Sequence, residues 1–477
     1  MRFLIPIVPG GEPLFRQIYL ALRRAILAGT FRPGEPLPST RDLSQQLGVS
    51  RTVVLLAYDQ LLAEGFVVAR VGSGTYVADA LTSPRSASPA RAARVRLSRF
   101  GTFAEQTSAR VTFHEPRAKP LRYDFVYSRS DVQHFPFAQW WRVLHRRARD
   151  VRIRELDYGP PTGSQALRDA IAAHLRRSRS VDCDASQVIV VNGSQQALDL
   201  VTRVLIEPGD RVAIEDPSYE GTREVLLAAG ARLLGVEVDR DGIDSSKMPD
   251  SARVAFVTPS HQFPTGAILS LARRQMLLTW AHRRNAVLVE DDYDGEFRYE
   301  GKPLESLQGL DTEGRVIYIG TFSRTIFSAL RIGYLVVPKS LLAAFTAAKW
   351  LCDQHTATLE QETLAEFISG GMYERHLRRM GRSNAANRRV LLEALHRHLG
   401  DRVEITGDGA GAHVVLWPRR RVREEAVVAA AAARGVGIYP IGRYRLERPG
   451  RPGLMLGYQR MRESDIREGV KRLEAIL

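Results

Sequence analysis

Hydrophobic positions along the chain recur with two different periods, and the change between them divides it. Leu14, Ile18, Leu22 and Ile26 return every fourth residue, one face of a helix that stops at Gly29. Pro33-Gly34 then turns the chain. Ser39 with Asp42 reads as a capping box for a short helix through Leu43 and Leu47, ended by Gly48. Ser50 caps a longer helix with Val54, Ala57 and Leu61 inward, ended near Gly65. Residues 66–77 fold back around Gly72-Ser73-Gly74, a hairpin signal. Helix, helix–turn–helix and wing in this order predict a winged helix-turn-helix of α+β class over residues 1–78.

The pattern then dissolves. Residues 79–115 are rich in Ser, Pro, Ala and Arg, show no sustained apolar period, and read as a flexible linker. Between Asp79 and Arg122 nine basic residues face three acids, Asp79, Glu105 and Glu115. Such a tether either adds nonspecific phosphate contacts or is simply solvated.

Residues 116–477 return to strong patterning as a second domain. Short β-rich runs at 188–191, 211–214, 254–257, 286–289 and 316–319 alternate with helical stretches at 196–205, 219–229 and 270–283. Alternation of this kind predicts an α/β domain with a mostly parallel sheet covered on both faces. Beyond Pro338 helices are expected at 342–350, 361–367 and 386–399, with short strands at 413–416 and 454–456. These make a small C-terminal α+β domain.

Composition narrows the class. A length of 477 residues exceeds one ordinary core, so two or three domains are expected. With 44% hydrophobic and 25% charged residues the chain has the balance of a soluble globular protein. No long uncharged apolar run and no signal-peptide pattern occur, so a cytoplasmic protein without membrane contact is expected. Cys183 and Cys352 lie far apart, which fits a reducing compartment without disulfides. No metal site is expected. A net charge of +15 points to a polyanionic partner. Of the 68 basic residues only six are Lys, so Arg is the default cation of this chain.

The run LPSTRDLSQQLGVSRTVVLLAYDQLLAEGFVVARVGSGTYV resembles the DNA-binding domain of GntR-family regulators. The second helix of such a motif offers its N-terminal residues to the major groove of duplex DNA. Arg51 and Thr52 are therefore the candidates for base edges, and Ser39 and Arg41 for phosphate. Arg70 on the wing would reach backbone or minor groove.

The second domain carries its chemistry where two apolar runs open into polar residues, the carboxyl edge at which open α/β sheets bind ligands. Asp291 and Tyr293 leave the first run; Thr321, Ser323, Arg324 and Arg331 leave the second. The spacing resembles the fold type I aminotransferases that bind pyridoxal 5′-phosphate (PLP), as does the segment YGPPTGSQALRDAIAAHL. The resemblance implies that Asp291 pairs with the pyridinium nitrogen and Tyr293 with the ring hydroxyl. It implies that Tyr219 stacks on the ring, and that Thr321, Arg331 and the Asn192–Gln196 loop, with Ser194 and Gln195, hold the phosphate. Three departures stand out. Arg324 occupies the position of the Schiff-base Lys, and a guanidinium stays protonated and forms no such bond. Phe263 replaces the usual Asn, leaving His261 or Gln262 to take over that polar contact. Met455 stands where the family often holds a substrate carboxylate with Arg, so that Arg443, Arg445 or Arg460 would have to compensate.

Taken together the chain resembles the MocR subfamily of GntR-type transcription regulators. That resemblance implies a homodimer that binds an operator and is modulated by a small molecule. PLP or another anionic metabolite, held without a covalent link, is the expected effector; the pocket holding no cofactor at all is the other outcome. No catalysis is expected. Two alternatives stay open: a PLP-dependent aminotransferase with an attached DNA-binding domain, and a DNA-binding protein whose large domain is only a dimerisation scaffold.

Overall fold

Around one small apolar cluster the N-terminal residues fold as their periodicity predicts. In the computed structural model, helix α1 (Leu14–Leu27) buries Ile18, Leu22, Ala25 and Ile26. Leu14 at its start stays 39% exposed. Helix α2 (Thr40–Leu47) begins at Ser39, whose Oγ accepts from the Asp42 N–H at 3.1 Å and donates to Asp42 Oδ2 at 2.7 Å. The box therefore closes side chain to side chain rather than back to the Ser39 backbone. Gly48 ends α2 at φ 65°, a conformation that favours glycine. Helix α3 (Arg51–Ala63) buries Val54, Ala57, Tyr58 and Leu61, and Ser50 sits at its cap position without a side-chain capping hydrogen bond. Tyr58 Oη donates to the Pro38 carbonyl at 2.7 Å, tying α3 to the chain that enters α2. Strands β1 (Val67–Arg70) and β2 (Gly74–Val77) pair antiparallel as the wing.

The described residues are 5–8, 11–79, 95–108, 121–127, 130–152, 157–299, 305–446 and 450–477. They divide into two compact units, Met1–Arg96 and Leu97–Leu477. The second unit therefore starts inside the stretch read as linker. Helix α4 (Arg99–Ser108) forms there and packs on a helix of the large unit, which corrects the reading of 79–115 as an unstructured tether. Residues 80–94 and 109–115 of that stretch lie outside the described residues.

The large unit continues with β3 (Tyr123–Asp124), α5 (Phe137–Asp150), α6 (Gln165–Arg179), β4 (Val188–Val191), α7 (Ser194–Leu205), β5 (Arg211–Asp216) and α8 (Glu220–Ala229). Next come β6 (Arg232–Asp239), β7 (Gly242–Ile243), β8 (Val254–Val257), α9 (Leu271–Arg284), β9 (Val287–Asp292), α10 (Leu307–Leu310), β10 (Val316–Thr321) and β11 (Gly333–Val336). The strands form one sheet in the order β4-β11-β10-β9-β8-β5-β6-β7. Strands β10, β9, β8, β5 and β6 run parallel, whereas β11 is antiparallel to both its neighbours and β7 closes a hairpin on β6. Both faces are covered. Val188 and Val190 point into the core under α6, while Ile189 and Val191 point into the opposite core under α7, the period-two alternation of a doubly covered strand.

Helices α11 (Leu342–Asp353), α12 (Thr358–Ser369) and α13 (Met372–His398) lead to the C-terminal part. There β12 (Val403–Thr406), β13 (His413–Pro418), α14 (Glu424–Ala433), β14 (Val436–Gly437), β15 (Tyr439–Pro440), β16 (Leu454–Gly457) and α15 (Glu463–Leu473) follow. An antiparallel sheet in the order β12-β13-β16-β15 packs its core against α13 and α15. This is the expected small α+β domain.

Candidate functional site

Every candidate ligand residue of the large unit lies at the carboxyl edge of the parallel strands or on a loop that leaves it. Asp291 is the penultimate residue of β9, Tyr293 follows it, and Thr321 ends β10. Ser194 and Gln195 open α7, whose first N–H groups are unspent within the helix and form an anion site. Gly193 precedes them at φ 80°, and a Cβ there would collide with the Arg331 guanidinium. Arg331, itself at φ 53°, donates to the Asn192 carbonyl at 3.2 Å. The loop is braced from below. Asp353 Oδ2 accepts from both Asn192 Nδ2 and Gln196 Nε2 at 2.7 Å, and Lys349, fully buried, holds the other oxygen at 2.5 Å. Thr321 Oγ1 accepts from the Ser323 N–H at 3.2 Å, which shapes the turn after β10.

Asp291 is a buried carboxylate whose Oδ1 has no hydrogen-bond partner among the described residues. Burial, reinforced by Asp292 and Glu215, pushes its carboxyl up to about 7. An orphan of this kind calls for a cation. A pyridinium nitrogen fits that demand, and the Gly193–Arg331 cradle fits a phosphate. Tyr219 caps the start of α8 with its ring edge-on to Phe263 at 5.8 Å, and burial raises its phenol to about 12. Burial likewise holds the Tyr293 phenol well above its ordinary range.

Arg324 is 6% exposed and lies between two rings, 5.2 Å from the Tyr127 centroid and 5.7 Å from that of Tyr293. Its Nη2 is 3.7 Å from Asp294 Oδ2, yet Nε, Nη1 and Nη2 all lack hydrogen-bond partners among the described residues. Five donors in a buried, aromatic-walled site are a receptor for an anion.

The two other departures are filled by packing. Phe263 stacks on Tyr127 at 4.9 Å and meets Tyr444 edge-on at 4.9 Å. Met455 is fully buried in the same apolar cluster, so the two replacements complement each other. Gln262 does not replace the missing Asn. Its amide donates to Glu215, Pro217 and Phe263 and accepts from Thr265, so it is consumed in shaping the loop. His261 turns its ring toward Tyr293, Asp294 and the Gly407 carbonyl. Among the candidate arginines, Arg460 is exposed, Arg443 pairs with Glu220 at 2.9 Å, and Arg445 donates to the Arg451 carbonyl at 3.1 Å. Arg324 is thus the buried cation of the pocket without a hydrogen-bond partner.

Sequence reasoning did not pick out Tyr127, Glu215, Asp294 or His413. Glu215 is buried against Thr258 and Gln262 at the end of β5, and burial raises it to about 7. Asp294, three residues beyond Asp291, and Glu215, four before Tyr219, lay close to a candidate residue; Tyr127 and His413 arrive from distant parts of the chain.

In the N-terminal unit, Arg41, Arg51, Thr52 and Arg70 are exposed. Arg51 Nε reaches Thr40 Oγ1 at 3.3 Å across the turn between α2 and α3, and Arg70 lies over the Tyr76 ring at 4.6 Å. Ser39 is also exposed, but its hydroxyl is engaged with Asp42.

Comparison with known proteins places both units. Residues 14–77 match the bacterial regulatory proteins of the gntR family, and residues 129–454 match aminotransferase class I and II. The probable rhizopine catabolism regulatory protein MocR of Rhizobium meliloti is 40% identical, the alignment covering 97% of this chain and 93% of that protein. The HTH-type pyridoxine biosynthesis transcriptional regulator PdxR of Corynebacterium glutamicum is 30% identical over 90% of this chain and 88% of its own. Among solved structures, the Pyrococcus horikoshii kynurenine aminotransferase superposes with a TM-score of 0.71 at 25% identity, covering 80% of this chain and 95% of its own. A winged helix of gntR type on an aminotransferase fold, aligned almost end to end with MocR, shows that the chain belongs to the MocR-like family of HTH-type transcriptional regulators.

Proposed function

We propose that the chain binds operator DNA as a homodimer through its winged helix, and that its aminotransferase-like domain senses an anionic small molecule held noncovalently. PLP is the first candidate effector. The observation that carries the ligand reading is the presence of two buried groups with unsatisfied polar atoms, Asp291 Oδ1 and the Arg324 guanidinium. PLP would bring a pyridine nitrogen, a phosphate and an aldehyde to such a pocket. Asp291 would hold the ring nitrogen protonated, the start of α7 with Arg331 and Thr321 would take the phosphate, and Tyr219 would cover the ring. Arg324 would donate hydrogen bonds to an oxygen where the family otherwise has an amine. The name of PdxR, a relative that regulates pyridoxine biosynthesis, supports a B6-type ligand.

Transamination is not part of this reading. It needs a neutral amine as both anchor and proton carrier, and Arg324 cannot lose its proton at working pH. Lys349 is buried, but Asp353 and Thr356 hold its Nζ beneath the Asn192 loop. Nor does a guanidinium stand at Met455 to take an amino-acid carboxylate. Incubation with PLP and a panel of amino acids should yield no keto acid above the free-PLP background; stoichiometric turnover would withdraw the non-enzyme reading.

The deciding experiment is a PLP titration of the full chain, followed by absorbance and by borohydride reduction, with operator binding measured in parallel. Saturable binding, no reductive trapping and a shift in DNA affinity are expected. Trapping onto a Lys of this pocket would overturn noncovalent binding, and the absence of any effect on DNA would overturn sensing.

A further inference from the structure

Beside the candidate ligand pocket three buried side chains converge from three separate segments. His261 lies in the loop after β8, Asp294 just beyond β9, and His413 at the start of β13. Each offers one candidate ligand atom, an imidazole nitrogen or a carboxylate oxygen, within 4.8 Å of those of the other two. Each imidazole is oriented through Nε2: that of His413 is 3.0 Å from the Pro264 carbonyl, and that of His261 is 3.4 Å from the Gly407 carbonyl. A carbonyl only accepts, so Nε2 of His413 carries the proton and its Nδ1 is left as a lone pair, and a Tyr293 hydroxyl donating to His261 Nδ1 fits the same tautomer there. His413 Nδ1 has no partner among the described residues, and neither does Asp294 Oδ1. His261 Nδ1 is 3.5 Å from Asp294 Oδ2 and 3.3 Å from the Tyr293 hydroxyl. Asp294 Oδ2 accepts from the Ala412 N–H at 3.0 Å and lies 3.7 Å from Arg324 Nη2, which leaves Oδ1 over.

Three acceptors that meet in a buried site repel one another unless a cation sits among them. Outer hydrogen bonds from the far ring nitrogen to a backbone carbonyl are the means by which proteins aim ligating histidines. The backbone is also drawn unusually close. Gly411 stands at φ 71°, and a Cβ there would collide with both the His261 ring and the Asp294 carboxylate.

We propose that His261, Asp294 and His413 form a binding site for a divalent transition-metal ion, two imidazoles and one carboxylate, of the class that takes zinc. Three protein ligands leave one position open to water or to an anion from the neighbouring pocket. The guanidinium of Arg324 repels the metal, so the site is weaker than a closed structural zinc site, and an anion placed between the two cations strengthens both. His261 and Asp294 belong to loops of the central sheet while His413 belongs to the C-terminal sheet. The ion therefore pins one sheet to the other.

The inference does not rest on the effector reading, and its test uses no effector. Full-length protein stripped with a chelator is titrated with cobalt(II), then challenged with zinc. One cobalt per chain is expected, with visible ligand-field bands of a low-coordinate nitrogen and oxygen site, zinc displacing it and raising the melting temperature. His413→Gln and His261→Gln should each weaken cobalt binding by about tenfold or more, while His145→Gln on the exposed face of α5 leaves it unchanged. Absence of the bands in the unaltered protein would overturn the site, whatever the variants do. Bands that survive in both His variants would overturn it as well, by placing the ion on the surface. Should a variant not fold, Asp294→Asn read by the same bands takes its place.

Discussion

Arg324 puts a permanent charge where the resemblance to aminotransferases implies a titratable Schiff-base Lys. The chain prefers Arg to Lys almost everywhere, with six Lys among 68 basic residues. A generic cation would nevertheless sit at the surface, and this one is buried between Tyr127 and Tyr293. Arg324→Lys should therefore restore a borohydride-trappable link to added PLP, because the cradle and Asp291 are in place; failure would mean the pocket has drifted beyond its anchoring residue. Asp291 makes a second prediction, in pH. Burial raises its carboxyl from the ordinary aspartate range to about 7, so the unliganded fold is favoured while the group is protonated. That advantage is present at low pH and lost as pH rises through about 7, by up to about 4 kcal/mol. The ligand-free protein should melt at lower temperature at pH 7 than at pH 5. Asp291→Asn should flatten that slope, and a pH-independent difference between the two proteins would refute the assignment. The spaced motif made the placement of Asp291, Tyr293 and Thr321 at the carboxyl edge legible from the residues alone. Glu215 and His413 were not, because no local pattern marks a side chain whose partners lie 40 to 150 residues away, such as Thr258 for the first and Pro264 for the second.

At the scale of elements, periodicity found β4, β5, β8, β9 and β10 of the large sheet and missed β6, β7 and β11. Strand β6 reads RLLGVEVD with alternating exposure, and its glycine disguised it. That β11 runs antiparallel cannot be read from a period at all, since direction is set by the turn after Arg331. Helix α4 hides in Ser- and Arg-rich sequence and buries no residue of its own, so no apolar stripe announced it. Two elements carry predictions. In α3, Arg51 is exposed at the first turn, and Arg51→Ala should cost about 1–3 kcal/mol of operator binding and relax specificity; an unchanged footprint would remove Arg51 from the interface. At the entry to α7, Gly193→Ala forces a Cβ into Arg331 at a backbone angle that L side chains rarely adopt. Affinity for PLP or inorganic phosphate should fall, with DNA binding by the winged helix unaffected in the absence of ligand.

For the whole molecule, the basic balance and the two matched families agree. Net charge of +15 predicts steep salt dependence of operator binding, and a homodimer predicts two half-sites about one or a whole number of helical turns apart. Footprints on half-site spacings changed by half a turn test this directly; insensitivity to spacing would refute two-fold reading. One further consequence lies in α8, which runs from the candidate pocket to α4. Tyr219 caps its first turn at the ligand pocket, and about 15 Å away Gly230 ends it beneath the Arg99 guanidinium of α4. An effector that re-seats Tyr219 would act at one end of this helix, and its other end packs on α4, the first helix of the large unit. If α8 carries the effector's influence to α4, Arg99→Ala, which removes the guanidinium over Gly230, should leave ligand affinity and operator affinity each intact while the influence of one on the other disappears.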